Sequence, residues 1–380
     1  MTEYKLRDLL TIKNGKDHKS LAEGKYPVYG SGGIMRYVDR YLYDKPSILL
    51  PRKGSLTNIQ FCEGPFWTVD TTYYTEINES LCDPYYLYRY ITLLDLSSFD
   101  TGSAVPSMTF ESYYQQKVYL PSLEKQKAIS KALRSIDSKI SLNEQINRNL
   151  EELARLIYSY WFVQFDFPDK NGKPYKSSGG KMVWNEPLKR EIPNGWENGA
   201  LIDIANITMG QSPAGSTYNE DGNGTIFYQG STDFGIRFPS VRQYTTEPTR
   251  FAKKGDILMS VRAPVGATNI AATDCCIGRG LCAMNSKQKS ISLLYFMIEI
   301  FKDRFNNKNA AGTTFGAITK DELFSLPVVI APQEIVNCFE KQAKPIFEKQ
   351  MKIGEEINEL TNLRDFLLPL LMNGQASLRG

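Results

Sequence analysis

The sequence predicts an α+β fold in which two similar mixed α/β domains are separated by two long helices that pair as an antiparallel coiled coil. Three observations lead to this prediction. Residues 120–162 and residues 332–371 each carry a heptad-like apolar stripe, and short matches recur in the same order about 195 to 211 positions apart. A duplicated globular part that is followed each time by a long helix accounts for all three.

The first stripe predicts one continuous helix over residues 120–162. No Pro or Gly follows Pro121 in this stretch, and mostly polar residues occupy the other faces. At ~1.5 Å per residue such a helix is roughly 55–60 Å long, and its apolar stripe needs a partner helix. The stripe is interrupted near Asn143 and consists of Ile129, Leu133, Ile136, Ile140, Ile146, Leu150, Leu153 and Ile157.

The second stripe supplies that partner within the same chain, so we expect the two helices to pair internally. Pro345 removes a backbone donor and predicts a kink or a restart, whereas Gly374 is a typical stop signal. The charged outer face of the first helix (Glu124, Lys131, Arg134, Glu151, Arg155) is either solvated surface or a docking strip. The apolar positions of the second stripe are Phe339, Ala343, Ile346, Ile353, Ile357, Leu360, Leu363, Leu367 and Leu370.

The matches between the halves indicate an internal duplication. Each match is short, but their common order is what loop insertions in a duplicated domain would leave. The matched pairs are residues 6–15 with 201–210, 30–31 with 230–231, 47–50 with 256–259, 57–59 with 268–270, 102–109 with 312–319, and 118–120 with 328–330.

These landmarks predict the domain boundaries. We expect a first domain at 1–120, a central spacer helix at 121–165, a linker at 166–195, a second domain at 196–330 and a C-terminal spacer helix at 331–376. The linker is inferred from its Pro, Gly, Ser and Lys content. Within the domains, short β-like runs predominate and helical patterns occur only at 84–92 and 290–305. The strand candidates are 26–29, 47–50, 66–75, 227–229, 256–261 and 267–272.

Composition limits the class of protein. With 380 residues, 42% apolar content and a net charge of +3, the chain predicts two to three packed domains without a general basic excess. Six cysteines without C-x-x-C spacing and a single histidine, His18, argue against a zinc site and suit reduced thiols. Charged residues from position 3 and the lack of a long apolar run predict neither a signal peptide nor a membrane span, and hence a cytoplasmic protein.

The sequence carries no recognisable catalytic motif. His18 would have to serve any Ser-His-Asp site, and no G-x-S-x-G elbow is present. The glycine-rich run at 29–33 lacks the P-loop Lys-Ser/Thr and predicts a tight turn. Asp83, which precedes Pro84, is best explained as a helix N-cap. We therefore predict no catalytic and no metal-binding residues.

Several loops instead carry side chains suited to DNA. Arg and Lys neutralise phosphates or bind guanine, Asn and Gln pair with adenine edges, and glycine–hydroxyl loops hold phosphates. Such loops recur at corresponding places in both halves, which favours a shared role over ordinary solvated turns. The predicted DNA-binding residues are Lys13, Asn14, Lys16, Arg52, Lys53, Ser55, Thr57, Asn58, Ser103 and Ser107 in the first half, and Gln211, Ser212, Gln229, Ser231, Arg262, Thr268, Asn269, Thr313 and Thr314 in the second.

Six sequence features resemble the DNA specificity subunits of type I restriction-modification systems, and the resemblance covers essentially the whole chain. Three lie around the second domain: IPNGW at 192–196, MGQSP at 209–213 and FYQGSTDFG at 227–235. Three lie on or beside the helices: LNEQINRNLEELAR at 142–155, SYWFVQFDFPD at 159–169 and LRDFLLPLLMNG at 363–374.

The resemblance implies a non-catalytic subunit that binds double-stranded DNA. Each half would recognise one half of a bipartite site, and the helices would hold the halves at a fixed spacing. The subunit would position two modification subunits, which carry S-adenosylmethionine and methylate adenine, and restriction subunits that use ATP and Mg. We expect no cofactor in this chain itself and no membrane partner.

Two other classes remain open at this stage. One is a self-contained DNA methyltransferase or nuclease with fused recognition domains, against which the missing catalytic motifs argue. The other is a coiled-coil scaffold without a role on DNA, which predicts that the polar loops are dispensable.

Overall fold

The computed structural model describes residues 1–53, 56–96, 107–310 and 316–377. The chain divides into two compact units. Unit 1 comprises Met1–Ile140 with Glu359–Gly380, and unit 2 comprises Ser141–Asn358. Each boundary falls inside one of the two long helices, so each unit contains one globular domain together with one portion of each helix.

Unit 1 contains nine strands and three short helices among its described residues, and it includes the beginning of the central helix. The strands are β1 (Thr2–Lys5), β2 (Leu10–Asn14), β3 (Glu23–Gly30), β4 (Gly33–Val38), β5 (Ser47–Pro51), β6 (Gln60–Cys62), β7 (Trp67–Thr68), β8 (Thr72–Ile77) and β9 (Lys117–Leu120). The helices are α1 (Leu6–Leu9), α2 (Pro84–Ile91), α3 (Phe110–Tyr114) and α4 (Leu123–Tyr158).

The strands of unit 1 form three small sheets, in the orders β1-β9, β2-β8-β5-β6 and β4-β3-β7. The strand predicted at 66–75 is in fact two, β7 and β8, which belong to different sheets. Asp83 caps α2 as predicted, because its Oδ1 accepts a hydrogen bond from the backbone N–H of Tyr86 (2.9 Å).

Unit 2 contains the remaining strands and helices. The strands are β10 (Met182–Asn185), β11 (Arg190–Pro193), β12 (Glu197–Ala200), β13 (Ala205–Met209), β14 (Tyr218–Asn219), β15 (Thr225–Tyr228), β16 (Tyr244–Thr245), β17 (Phe251–Ala252), β18 (Ile257–Ser260), β19 (Thr268–Ile270), β20 (Cys275–Ile277), β21 (Leu281–Ser286) and β22 (Pro327–Ile330). The helices are α5 (Leu201–Ile204), α6 (Ile291–Ala310), α7 (Lys320–Phe324) and α8 (Gln333–Met372).

Two sheets of unit 2 repeat the strand order of two sheets of unit 1. The pair β12-β22 corresponds to β1-β9, and the order β13-β21-β18-β19 corresponds to β2-β8-β5-β6. In each domain one pair is parallel, β3 with β7 and β15 with β20. The sheet that contains this pair has five strands in unit 2, in the order β14-β16-β15-β20-β17, against three in unit 1, and β10-β11 has no counterpart among the described residues of unit 1. The shared order of two sheets and the shared parallel pair support the duplication independently of the short sequence matches.

The structure corrects one of those matches. Ile48 lies opposite Phe61 in unit 1, and Ile257 lies opposite Ile270 in unit 2. Asn269 therefore corresponds to Gln60 and not to Asn58. Equivalent residues of the two domains are 209 positions apart here, and not 211 as the sequence match suggested. The short motif Thr-Asn-Ile occurs in both halves by coincidence, because its two copies are shifted by two positions relative to the equivalent strands.

Gly15 and Gly210 occupy the same place in the two domains, where the chain passes very close to the end of a parallel strand. A Cβ on Gly15 would lie 2.0 Å from the carbonyl oxygen of Val69, and one on Gly210 would lie 2.2 Å from that of Gly278. Both approaches involve backbone atoms that cannot swing away, so only glycine fits.

Gly210→Ala is therefore expected to destabilise unit 2 by about 1–3 kcal/mol, because the added methyl group forces two backbone segments apart. Denaturant unfolding of the full chain measures this effect. Gly215→Ala is the control, since a Cβ there meets nothing within 4 Å. Equal unfolding midpoints for the two variants would contradict the steric argument.

The two long helices pair in antiparallel fashion. In unit 2, Asn143 Nδ2 donates to Glu356 Oε2 (2.9 Å), and further along α4 the side chain of Gln350 donates to Glu151 Oε2 (2.7 Å). The partner number falls as the number in α4 rises, as an antiparallel arrangement requires. α8 runs without a break through Pro345 over 40 residues, so the predicted restart there is wrong.

The buried seam of α4 differs from the predicted stripe in its second half. Asn143, Asn147, Ala154 and Tyr158 are buried, whereas Leu153 is 47% exposed. The residues around Asn143, which looked like an interruption, continue the heptad spacing with polar side chains. Of the predicted apolar residues in this half, Leu153 falls on another face of the helix.

In unit 1, the first domain is fixed to the helix pair by an ionic cluster around Asp137 of α4. Arg89 and Tyr85 from α2 both donate to Asp137 Oδ2, and Arg364 of α8 donates to Oδ1 (3.2 Å). Burial raises the pKa of the Asp137 carboxyl, but these hydrogen bonds outweigh it and leave the pKa below its usual value. The stabilisation is thus present at neutral pH and is lost as the pH falls through this lowered pKa.

The segment predicted as a linker, 166–195, is largely folded into unit 2. It contains the antiparallel pair β10-β11. The ring of Phe167 stacks on those of Tyr175 (4.7 Å) and Trp196 (5.0 Å), and Ile192 is fully buried. Its Pro and Gly residues shape turns within a packed segment, so composition alone gave a misleading picture.

Within the part of the chain that the structure describes, no helix has the length and apolar character needed to cross a membrane.

Candidate nucleic-acid interface

The second domain has a polar surface cavity of 840 Å³, which we call the arginine cavity. It lies where β15, β18 and β20 end, so loops from three strands contribute side chains to one place. Three arginines and two acids face it, together with amides, hydroxyls and glycines. The lining residues are Glu220, Gln229, Gly230, Ser231, Thr232, Asp233, Arg242, Gln243, Arg262, Ala263, Arg279 and Gly280.

One arginine of the cavity is held in place by a carboxylate. Arg242 Nε donates to Asp233 Oδ1 (2.5 Å), and Nη2 of the same guanidinium contacts that oxygen as well. The Arg242 side chain is 62% exposed, whereas that of Asp233 is only 10% exposed. The acid is thus part of the wall, and the guanidinium projects from it into the cavity.

Arg262 and Arg279 are exposed on other walls of the cavity. Among the described residues, neither guanidinium has a hydrogen bond or an ion pair. The backbone of Arg279 is nevertheless fixed, because its N–H donates to Ser212 Oγ (3.2 Å). The cavity therefore combines one oriented cation with two unconstrained ones.

The structure brings four of the predicted residues of the second half together. Gln229, Ser231 and Arg262 line the arginine cavity, and Ser212 supports it from behind through Arg279. Gln211 lies in a neighbouring depression of 560 Å³, which Arg250 and Lys320 also line.

Two predicted residues of the second half have structural roles instead. Asn269 is 2% exposed, and its amide donates to the carbonyl of Gly235 (2.9 Å) and accepts from the N–H of the same residue (3.1 Å). Thr268 donates to Glu299 of α6. Asn269 is accordingly corrected to a residue that fixes the loop after β15, since its amide cannot reach a base edge.

In the first domain the predicted residues are spread over the surface. Lys13 pairs with Glu76 (3.6 Å), and Asn14 and Lys16 are exposed beside Gly15. Arg52 is half-buried, donates to the carbonyl of Asp70 (3.3 Å) and lies 6.0 Å from the ring centroid of Tyr73.

Four more predicted DNA-binding residues of the first domain are described by the structure: Lys53, Thr57, Asn58 and Ser107. Lys53 is exposed and forms a backbone bridge with the half-buried Ser107, and Thr57 is exposed. Asn58 donates its amide to the carbonyl of Ser31. Ser55, Ser103, Thr313 and Thr314 lie outside the described residues.

Gln60 and Asn58 hold the glycine loop of the first domain as Asn269 holds the loop of the second. Gln60 Nε2 donates to the carbonyl of Gly30 (2.9 Å), next to the contact of Asn58 with Ser31. These amides satisfy loop carbonyls instead of pointing outward. An amide on an edge strand is therefore weak evidence for base recognition unless its partner is known.

The comparisons with known proteins bear on the family and the duplicated fold. The sequence model described as "Type I restriction modification DNA specificity domain" matches residues 1–152 and 193–364. The chain belongs to this family. The two matched stretches are the two copies of the duplication, each with part of its long helix.

Named relatives of this specificity subunit are similar over most of their length. The type I restriction enzyme MjaX specificity subunit of Methanocaldococcus jannaschii is 30% identical over 80% of this chain and 70% of its own. The HindI specificity subunit of Haemophilus influenzae is 25% identical over 71% of each chain. The crystal structure of an S subunit from M. genitalium matches 97% of this chain with a TM-score of 0.61 and 16% identity, a likeness of fold.

Sequence reasoning missed Asp233, Arg242 and Arg279 of the specificity subunit. Asp233 falls within the motif at 227–235 that carried the family resemblance, but nothing in it indicates that its carboxylate orients an arginine nine residues later. Arg279 lies two residues after β20, a strand that the sequence pattern did not predict, so no strand-end signal pointed to it.

Proposed function

We propose that each half of this specificity subunit recognises one half of a bipartite DNA site. The observation that carries the proposal is the duplicated fold with different side chains at equivalent loop positions. Arg279 follows β20 where Asp70 follows the equivalent strand β7, whereas Arg262 and Lys53 are both basic. A common scaffold with such differences suits two base sequences that are not the same.

We further propose that the chain is non-catalytic and positions two modification subunits together with restriction subunits. Exposed apolar side chains support docking: Leu142, Leu153 and Leu156 of α4 are exposed, as are Tyr160 and Val163 of the π-helical turn at Ser159–Val163 that continues it. Exposed apolar side chains of this kind suit contact with another protein. S-adenosylmethionine, ATP and Mg would act on those partners, in the cytoplasm.

Exchange of one domain tests whether each domain recognises its own half of the DNA site. Replacing residues 6–116 by the matching segment of a relative leaves the closing pair β1-β9 in place. With the modification subunit present, sequencing of methylated sites should show one half-site replaced and the other unchanged. The reciprocal exchange at 201–326, between β12 and β22, should change only the other half.

The outcomes separate the remaining classes. If both half-sites change after either exchange, the two domains do not recognise their half-sites independently, and the proposal is wrong. Methylation of DNA by the purified chain with S-adenosylmethionine alone would support a self-contained enzyme. An unchanged site after both exchanges would support a scaffold without a recognition role.

A further inference from the structure

We propose that Arg242, oriented by Asp233, binds a guanine in the half-site of the second domain, whereas Arg262 and Arg279 contact phosphates. This inference rests on the proposed function and assigns the base and the residue that recognises it.

The contact with Asp233 leaves the Nη1/Nη2 end of the Arg242 guanidinium free. Asp233 Oδ1 accepts from Nε and Nη2 of Arg242, which occupies one side edge. The end of the guanidinium, with both Nη1 hydrogens and the second Nη2 hydrogen, remains open. Two parallel donors at that end match O6 and N7 of guanine in the major groove, the commonest specific contact between arginine and a base.

The loop that carries Asp233 is itself fixed. The Asp233 carbonyl accepts from the N–H of Ser240 (2.8 Å), and Gly235 is held on both sides of its peptide by Asn269 of β19. The cation is thus positioned by a chain of contacts that leads back to the sheet. Binding then costs less side-chain entropy than it would for a free arginine.

An acid in a cavity for DNA requires an explanation, because a carboxylate repels phosphates. Asp233 is oriented toward Arg242 and is largely shielded, so its main effect is on the direction of that guanidinium. Glu220 lies exposed on the wall of the same cavity. Arg262 and Arg279 lack such an orienting acid among the described residues, and long unconstrained cations suit phosphates, which tolerate varied approach.

The test uses the full chain assembled with its modification subunit and measures binding to DNA variants at several salt concentrations. Arg242→Ala is expected to reduce discrimination at one guanine of the second half-site by about 10- to 100-fold. Asp233→Asn should relax the same position while the salt dependence stays unchanged. Arg262→Ala and Arg279→Ala should weaken all sequences alike and lower the salt slope by about 1 each.

Lys253→Ala is the matched control, since Lys253 pairs with Asp274 (2.8 Å) on the same domain but outside the cavity. It should leave the discrimination between DNA sequences unchanged. The inference is overturned if the second half-site contains no guanine, if Arg242→Ala keeps full discrimination, or if Lys253→Ala relaxes recognition equally. A wild-type assembly without any bipartite preference would instead refute the proposed function.

Discussion

Arg237→Ala is expected to destabilise unit 2 by about 2–5 kcal/mol, the largest effect among the predicted substitutions, because it removes a large buried side chain. Arg237 is 4% exposed, and its Nη2 donates to Glu151 Oε2 of α4 (2.5 Å). Its guanidinium carbon lies 4.9 Å from the ring centroid of Tyr295 and 5.6 Å from that of Phe347. The substitution would leave the Glu151 carboxylate without its cation and would open a void between rings.

Equilibrium unfolding in denaturant measures this effect. Tryptophan fluorescence should follow unit 2, because Trp161, Trp184 and Trp196 belong to it and only Trp67 belongs to unit 1. Lys253→Ala removes a cation from an exposed pair in the same unit and should cost no more than about 1 kcal/mol. A similarly small loss for Arg237→Ala would mean that the side chain of Arg237 and its pairing with Glu151 contribute little to attaching the second domain to the helices.

Lengthening both long helices by one heptad is expected to lengthen the unread spacer of the DNA site by about three base pairs. Seven residues add about 10 Å of helix, and successive base pairs are about 3.4 Å apart. Duplicating residues 134–140 in α4 and 359–365 in α8 would repeat the contact between Asp137 and Arg364, so that the added turns pair as the existing ones do. Sequencing of methylated sites in cells with the modification subunit gives the spacer directly.

The duplication in α4 alone is the informative comparison. It would shift one helix against the other and leave polar and apolar layers facing each other, so methylation should be lost. The half-sites themselves should stay the same in the double duplication. If methylation continued with the original spacer, the idea that helix length sets the spacing would have to be abandoned.

The sequence predicted the architecture well because the decisive signals are local and repeated. The heptad pattern gave α4 and α8 to within a few residues, and the duplication follows from the order of matches. The seam of α4 near Asn143 could not be read in this way, since a hydropathy pattern does not reveal which polar residues are buried. Only the contacts with Glu356 and Gln350 reveal it.

The candidate site was predictable only in part. Residue type and loop position led to Gln229, Ser231 and Arg262, which do lie together. The same criteria selected Asn269, whose amide is used inside the fold, and passed over Arg242. Whether a polar side chain faces outward depends on its hydrogen-bond partner, and for Asn269 that partner lies 34 positions away.

The antiparallel pairing of the long helices also has a consequence during synthesis. The first residue of α8 follows that of α4 by 210 positions, so a ribosome adding about 5–20 residues per second completes the pair at least ~10 s after it begins. Throughout this delay the seam of α4 has no partner. Asn143 and Asn147 make the exposed seam less apolar, so we expect a lower tendency of nascent chains to aggregate through their first helices than an all-apolar seam would give.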